Sequence, residues 1–410
     1  MNEEPPRKSS SARRVRRVRR PAALWGAVLG LAALVPAAVC QAAEPAGDVP
    51  EFPAVTAAMK EFVAKENIAG AVTVVATKDR ILHLSAVGQA DIAAGTPMRQ
   101  DTIGWIASMT KPITASAILM LQDEGKLSVD DPVAKYVPEL ANLKTADGKP
   151  GNLTLRHLLT HTSGMAEATA EESKNARTLA DLIPCFASKP LKFEPGTKWQ
   201  YCQSAINTLG RIVEVASGQP FPEFLQKRFF DPLGMKDTGF YPAADRIPRV
   251  AKSYKIVDKK LVEAPVRGDY DFRRANRYPA ANGGLYSTAP DYARFCRMIL
   301  NQGSLDGKQY LKPESVKLMT TIQTGDLKTG FTDGNGWGLG WCVVRQPQGV
   351  TAMLSPGTFG HGGAYGTQAW IDPAKKVIYV LMVQRSDFPN SDGSDVRRIF
   401  QAKAAEAMGK

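Results

Sequence analysis

Runs of apolar residues lie towards the two ends of the chain, and they predict β-strands. Residues 70–77 (GAVTVVAT) are rich in apolar and β-branched side chains, and residues 81–88 (ILHLSAVG) follow after a polar Lys-Asp-Arg turn. The pair predicts a hairpin. Three further runs of this kind lie towards the C-terminus, at 338–344, 367–371 and 376–383. Because a lone hairpin is marginally stable in water, we expect strands from both chain ends to share one antiparallel sheet.

The middle of the chain has apolar residues at helical spacing instead. Three segments there show it: 209–216, 222–230 and 291–300. Together the patterns predict an α+β fold, an antiparallel sheet flanked by helices and built from both chain ends, with an inserted helical lobe. We place the α/β lobe at residues 44–135 and 325–410 and the mainly helical lobe at 136–324. A cleft between the lobes is where a substrate is expected to bind.

The first 43 residues have the composition of a secretory signal peptide. Residues 1–20 contain eight basic and two acidic side chains, and residues 21–39 are mostly apolar. Small residues precede Glu44, so we expect cleavage after Ala42 or Ala43 and a periplasmic or secreted protein. An uncleaved N-terminal membrane anchor is the alternative, and the export route stays open.

Composition and charge narrow the class of protein. The chain has 410 residues, of which 44% are hydrophobic and 22% are charged, as is typical of a folded globular protein. A formal net charge of +12 is a feature of many nucleic-acid-binding proteins. Here, however, half of that charge lies in residues 1–20. Signal cleavage removes that half, so we expect no nucleic-acid partner.

Cysteines and histidines do not form a metal-binding pattern. His157 and His161 are four positions apart with no acidic residue between them, which favours structural histidines over a zinc site. We therefore expect no metal and no cofactor. Four cysteines follow the leader, and their pairing does not follow from the sequence. They are Cys185, Cys202, Cys296 and Cys342.

Residues 108–111 (SMTK) place a hydroxyl and an amine three positions apart. The apolar spacing of residues 113–121 predicts a helix that stops at Gly125, so Ser108 falls at a helix N-terminus. Positions i and i+3 share a helix face, so Lys111 can accept the proton of the Ser108 hydroxyl. The positive end of the helix dipole favours negative charge there. The spacing alone is a weak signal, and it indicates a nucleophilic serine only with further motifs.

Further motifs follow in a fixed order. After SMTK they are LRHLLTHTSGM at 155–165, FEPG at 193–196, WQY at 199–201, PLGMKDT at 232–238, GGLYST at 283–288 and GHGGA at 360–364. This ordered set resembles the serine β-lactamase-like superfamily, specifically its branch of class C β-lactamases, D,D-peptidases and family VIII carboxylesterases. The resemblance covers most of residues 50–390. An α/β-hydrolase is not expected, because the chain has no Gly-x-Ser-x-Gly pentapeptide.

The resemblance implies three catalytic residues. Ser108 matches the acylated nucleophile, and Lys111 matches the amine that hydrogen-bonds to it. Tyr201 matches the tyrosine of the family's Tyr-x-Asn element, a phenol that beside an ammonium can be partly ionised and can shuttle the proton between nucleophile and leaving group. His161 and Ser163 are expected to be scaffold residues.

The resemblance also implies a substrate-binding strand. His361, Gly362 and Gly363 match the family's third element, which lies on a strand at the edge of the cleft. The two glycines are expected to let a substrate approach the backbone. The backbone N–H groups of Ala364 and Ser108 would form the oxyanion hole.

Two positions depart from the family pattern. Gln203 stands where the second element normally has an asparagine that contacts an amide in β-lactam or peptide substrates. His361 replaces a lysine, which removes a fixed positive charge that could pair with a substrate carboxylate. Both changes favour neutral esters. Segment 166–192 is polar and adjoins the second element, so we expect it to be the specificity loop.

These observations support a serine hydrolase with an acyl-Ser108 intermediate, a carboxylesterase on small acyl esters. The alternatives are a β-lactamase or D,D-peptidase acting on β-lactams or cell-wall peptides, and a catalytically silent binding protein with the same fold. Retention of Ser108, Lys111 and Tyr201 together argues against the silent protein. The expected partner is a small ester, β-lactam or peptide, with membrane contact only through the N-terminal segment. The oligomeric state stays open.

Overall fold

Helices cover both faces of an antiparallel sheet in this chain. The computed structural model describes residues 51–268, 270–274 and 276–409, and the predicted leader, residues 1–43, lies outside them. In the described residues the strands are β1 (Gly70–Ala76), β2 (Ile81–Asp91), β3 (Thr96–Pro97), β4 (Gly104–Trp105), β5 (Tyr254–Val257), β6 (Lys260–Glu263), β7 (Tyr286–Ser287), β8 (Ser304–Leu305), β9 (Lys308–Gln309), β10 (Asn335–Trp337), β11 (Cys342–Val344), β12 (Phe359–Gly362), β13 (Gln368–Asp372) and β14 (Val377–Met382).

The helices vary in length from a single turn to about four turns. In the same part of the chain they are α1 (Pro53–Ala64), α2 (Thr110–Asp123), α3 (Leu155–Leu159), α4 (Ala170–Asn175), α5 (Ile183–Ala187), α6 (Gln203–Ser217), α7 (Phe221–Leu225), α8 (Asp231–Leu233), α9 (Ala289–Leu300), α10 (Pro313–Thr320) and α11 (Asp395–Met408). None of these described helices is long and apolar enough to cross a membrane.

The main sheet joins the two chain ends. Its eight described strands run in the order β10-β11-β12-β13-β14-β1-β2-β3, and every neighbouring pair is antiparallel. In its centre Val74 of β1 lies opposite Val380 of β14 on one side and Leu84 of β2 on the other. The predicted hairpin and the predicted sheet built from both ends are therefore confirmed, and so is the α+β fold class.

Strand β1 is buried along its whole length because helices cover both faces of the sheet. Alternate side chains of a strand point to opposite faces. Val72 and Val74 belong to the large core that also contains the buried residues of α2, α6 and α9. Ala71 and Val75 belong to a second core, which α1 and α11 cover on the other face. This double burial explains why the β1 sequence is continuously apolar.

Helix α2 follows the predicted nucleophile directly and is buried from Thr110 to Leu121. It packs against α6 inside the large core. Its buried hydroxyls are satisfied by carbonyls: Ser116 donates to Pro112 O at 2.9 Å and Thr114 to Ala281 O at 2.7 Å. The helix ends where the sequence predicts, since Gly125 takes a left-handed φ of +72° just beyond it.

Two predicted elements are shorter than expected. The strand predicted at 338–344 covers only β11, because Gly340 has a left-handed φ of +77° and packs so closely on Ala115 of α2 that a Cβ would not fit. The helix predicted at 222–230 is α7 followed by a wider π-helical turn, Gln226–Phe230.

Asp48–Lys410 groups as one compact unit. The lobe boundaries proposed from the sequence therefore stay predictions.

Candidate active site

A tight turn before α2 presents Ser108. Residues Ala107–Met109 form one 3₁₀ turn that leads directly into the helix, and Ala107 has a left-handed φ of +47°. For a residue with a Cβ this conformation costs on the order of 1 kcal/mol, so the surroundings must hold it. One restraint is the Thr110 hydroxyl, which donates to Ala107 O at 2.7 Å. Ser108 itself stays partly exposed and is accessible to a substrate.

The Lys111 amine is buried beside this serine. Its Nζ lies 3.0 Å from Ser108 Oγ and 2.6 Å from the carbonyl oxygen of Asn282, and the residue is 0% exposed. Burial lowers the pKa of Lys111 from 10.5 to about 7, and the carboxylate of Glu167 opposes this shift only in part. Near pH 7 a large fraction of Lys111 is therefore a neutral amine, which can accept a proton from Ser108.

Tyr201 lies immediately before α6, with its ring 4.6 Å from Lys111 Nζ and its hydroxyl 3.4 Å from His361 Nε2. Burial raises the pKa of the Tyr201 phenol well above 10, and a hydrogen bond with Ser108 opposes this only in part. The partly ionised phenol expected from the sequence is therefore not favoured. The physical reason is that burial disfavours the charged phenolate form.

Gln203 begins α6, two residues beyond Tyr201, and its side chain is held by Asn282. The Asn282 amide nitrogen donates to Gln203 Oε1 at 2.8 Å and to the Tyr270 hydroxyl at 2.8 Å. Because the oxygen of Gln203 is engaged in this way, its amide nitrogen is the end that can donate to a substrate carbonyl. Tyr270 stacks on Trp105 at a ring distance of 5.1 Å, which extends this side of the site as an aromatic wall.

His361 lies on β12, as the sequence predicts, and is buried. Its Nδ1 donates to Gly362 O at 2.7 Å, which leaves Nε2 as an acceptor for the Tyr201 hydroxyl. Burial and the nearby Lys111 lower the pKa of His361 from 6.5 to about 3. The side chain is therefore neutral at ordinary pH, and it does not replace the positive charge of the family's lysine.

The two glycines after His361 are required by neighbouring protein groups. A Cβ on Gly362 would collide with the Asp392 carboxylate, and one on Gly363 would collide with the Thr367 hydroxyl and lie 2.6 Å from Ile106 O. Close packing within the protein therefore requires glycine at both positions. It also brings this segment against the Ser108 turn. The approach of a substrate to this backbone stays a prediction.

Ala364 follows these glycines and is exposed. Because Gly363 packs on Ile106, the next peptide unit lies near the turn that carries Ser108. The oxyanion hole of the Ala364 and Ser108 N–H groups stays a prediction.

The histidines considered for metal binding have structural environments. His157 forms a capping box with Thr154 at the start of α3. His161 Nδ1 accepts from the Cys202 N–H at 3.1 Å, and its ring lies 4.4 Å from that of Tyr201. His161 thus supports the chain segment that carries Tyr201. The four described cysteines, Cys185, Cys202, Cys296 and Cys342, are unpaired.

Two residues of the site were missed from the sequence. Asn282 contacts both Lys111 and Gln203, and its position directly before the Gly283-Gly284 pair was the available signal. Glu167 binds the first turn of α6 from a loop 36 residues earlier. No local pattern marks such a contact, because only the folded chain brings the loop and the helix together.

The comparisons with known proteins agree with this geometry. The family described as Beta-lactamase matches residues 55–404. The chain is 32% identical over 357 residues to Esterase EstB of Burkholderia gladioli, covering 80% of this chain and 88% of that protein. It is 34% identical over 294 residues to Penicillin-binding protein 4 of Amycolatopsis lactamdurans, covering 71% and 73%. A solved structure, "EstCE1, a hydrolase with promiscuous acyltransferase activity", has a TM-score of 0.74 at 24% identity and covers 86% and 97%.

The chain therefore belongs to the Beta-lactamase family, which confirms the resemblance noted in its motifs. It is a serine hydrolase of the β-lactamase-related type.

Proposed function

We propose that this serine hydrolase is a carboxylesterase that acts on small acyl esters through an acyl-Ser108 intermediate. The observation that supports this most is the 3.0 Å contact between Lys111 Nζ and Ser108 Oγ, together with the burial that lowers the pKa of Lys111 to about 7. A serine hydroxyl is a poor nucleophile at neutral pH unless a base accepts its proton. Lys111 is that base in this proposal.

The reaction follows from these contacts. Ser108 Oγ attacks the ester carbonyl carbon while its proton passes to Lys111 Nζ, which gives a tetrahedral oxyanion. Collapse of this intermediate breaks the bond to the alcohol oxygen, which takes a proton from the Lys111 ammonium through the Tyr201 hydroxyl. Water then attacks the acyl-Ser108 carbonyl, with the same groups moving its proton, and releases the acid and free Ser108. Tyr201 stays protonated and serves as donor and relay.

Neutral esters are the substrate class that the charges of the site favour. His361 is uncharged at ordinary pH and lies where the family has a lysine, so it supplies no ion pair for a substrate carboxylate. Tyr270, which is partly exposed and stacks on the buried Trp105, offers an aromatic surface instead. Esterase EstB is a relative whose name states the same activity, which supports the assignment.

A β-lactamase or D,D-peptidase is the second candidate. It is favoured by the likeness to Penicillin-binding protein 4 and by the free amide nitrogen of Gln203, which can donate to an amide carbonyl. The acylation chemistry is the same in both candidates. A β-lactamase differs from an esterase in that it hydrolyses the penicilloyl adduct on Ser108 quickly.

Intact-mass measurement distinguishes a carboxylesterase from a β-lactamase. The mature protein and Ser108→Ala are exposed briefly to a fluorophosphonate, a p-nitrophenyl acyl ester and a penicillin. We expect adducts on the wild type alone, with rapid loss of the acyl adduct and slow loss of the penicilloyl adduct. Rapid loss of the penicilloyl adduct would establish a β-lactamase. Equal labelling of Ser108→Ala would remove Ser108 as the nucleophile.

We also propose that residues 1–43 are a signal peptide and that the mature enzyme is periplasmic or secreted. The basic, apolar and small-residue order of this segment supports the proposal. Expression of the full chain followed by N-terminal sequencing of the exported protein tests it. A mature N-terminus at Ala43 or Glu44 is expected, whereas an intact N-terminus in the membrane fraction would establish the anchor.

A further inference from the structure

The carboxylate of Glu167 binds the first turn of α6. Its Oε1 accepts the Gln203 N–H at 2.6 Å, and its Oε2 accepts the Ser204 N–H at 2.9 Å and the Ser204 hydroxyl at 2.8 Å. The first N–H groups of a helix have no partner within the helix, and a carboxylate there is also favoured by the helix dipole. Glu167 therefore satisfies two of these groups at once.

The residue at the N-cap of α6 makes this contribution necessary. Cys202 occupies that position, and its sulfur accepts the Ala205 N–H at 3.4 Å. A thiol is a weak acceptor, and cysteine is not among the residues that stabilise helix N-termini. The Cys202 N–H is meanwhile held by His161 at 3.1 Å. The segment from Tyr201 to Ser204 is thus fixed by His161 at one end and by Glu167 at the other.

Glu167 also acts on Lys111 through its charge. Its carboxylate favours the ammonium and so opposes the burial that lowers the pKa of Lys111. The other titratable groups that interact with Lys111 are Cys202, Tyr201, His161 and His361, and burial keeps all four in their uncharged forms at neutral pH. Glu167 is therefore the charged side chain of this set, and it lies on the loop that precedes α4.

We propose that Glu167 is a positioning residue of the active site, which fixes the first turn of α6 so that Tyr201 and Gln203 face the nucleophile, and which supplies the negative charge felt by Lys111. The inference rests on the proposed function, since it assumes acylation of Ser108 with Lys111 as the base. It assigns a role to the beginning of segment 166–192, which the sequence marked only as a specificity loop.

The test follows the rate of Ser108 labelling by a fluorophosphonate from about pH 5 to about pH 10, by intact mass, in the wild type, Glu167→Gln and Glu172→Gln. Glu172 is the matched control, because it lies on the same segment, caps α4 and pairs with Lys189 at 2.5 Å, and none of its described hydrogen bonds or ion pairs is with α6. Failure of the wild type to label at all would overturn the proposed function, whichever residue positions the site.

With Glu167→Gln we expect two changes. Labelling slows about tenfold, because an amide cannot accept both the Gln203 and the Ser204 N–H. The acidic limb of the profile moves to lower pH by about 0.5 unit, because loss of the negative charge lowers the pKa of Lys111 further. Glu172→Gln should match the wild type in both respects. The proposal would be overturned if the acidic limb of the pH profile of Glu167→Gln coincided with that of the wild type. It would also be overturned if the acidic limb of Glu172→Gln were shifted.

Glu167→Asp separates the two roles. It keeps the charge but is one methylene too short to reach both amides, so its acidic limb should stay with the wild type while labelling slows. This variant also carries the test if Glu167→Gln does not fold. A moved limb or an unchanged rate in Glu167→Asp would contradict the assignment.

Discussion

Lys111 Nζ lies 3.0 Å from Ser108 Oγ with no exposure to solvent. The amine that we propose deprotonates the serine is thus prevented by burial from holding its own proton firmly. A lysine with the ordinary pKa of 10.5 would be an ammonium at neutral pH and could not act as a base. Burial at this position therefore prepares the base as well as placing it.

The pH dependence of activity follows from this pKa. We expect kcat/KM for a neutral p-nitrophenyl ester to rise with pH through a midpoint near the Lys111 pKa of about 7, because the neutral amine is the active form. Neither His361, with its pKa lowered to about 3, nor Tyr201, with its pKa raised well above 10, titrates between about pH 5 and about pH 9. A profile that is flat in this range would contradict the role of Lys111.

Replacement of Lys111 by methionine should abolish activity and should also remove a pH-dependent contribution to stability. Lys111→Met abolishes acylation. In the wild type the folded pKa of Lys111, about 7, lies below the ordinary lysine pKa of 10.5. The unfolded chain therefore binds more protons between these two pH values, and stability rises with pH there. Lys111→Met removes this rise. Urea unfolding at several pH values measures this dependence. The free energy of unfolding of the variant, relative to that of the wild type, should be highest below about pH 7.

Removal of the Tyr201 hydroxyl should impair turnover more than binding. We expect Tyr201→Phe to lower kcat by about 10²–10⁴-fold with little change in KM, because the proton relay is lost while the ring remains. Tyr379→Phe is the control, since it removes a buried hydroxyl with no described partner on strand β14. Steady-state kinetics of both variants check this. Equal kinetics for Tyr201→Phe and the wild type would exclude Tyr201 from the proton path.

Asn282 should contribute to both stability and catalysis. Asn282→Ala removes the donor to Gln203 Oε1, and we expect a loss of about 1–3 kcal/mol in the free energy of unfolding. We also expect kcat/KM to fall roughly tenfold, because Gln203 is no longer held. Asn301→Ala, at a partly exposed position whose side-chain nitrogen donates to Lys78 O, should change stability by less than about 0.5 kcal/mol. Chemical denaturation and steady-state kinetics provide both values.

The packing of Gly362 predicts a strong response to a single methyl group. A Cβ at this position would meet the Asp392 carboxylate and the Gln368 amide, so Gly362→Ala should destabilise the fold by about 1–3 kcal/mol and disturb His361. Gly239→Ala is the control, because nothing lies within 4 Å of its Cβ position and its φ is not left-handed. Thermal unfolding compares the two. Equal melting temperatures for Gly362→Ala and Gly239→Ala would contradict this prediction and would show that strand β12 accommodates the added methyl group.

Much of the fold could be predicted from local patterns. The hairpin of β1 and β2, the buried helix after Ser108 and the stop at Gly125 follow from residue spacing, since each depends on neighbours a few positions apart. The run at 338–344 shows the limit. Its residues are suited to a strand, but contact with Ala115 of α2 turns the backbone at Gly340 and shortens the strand. That contact joins segments far apart in the chain.

The sequence by itself determined the chemical groups of this enzyme: the serine and lysine three positions apart, the tyrosine, and a histidine in place of a lysine. Their spacing along the chain and the ordered motifs were enough for that. Only the tertiary structure decided their protonation and their supports. Burial lowers the pKa of Lys111 and keeps Tyr201 protonated, and contacts from distant segments, through Asn282 and Glu167, surround them. A pKa depends on the solvation and charge around a group, and these exist only once the chain is folded.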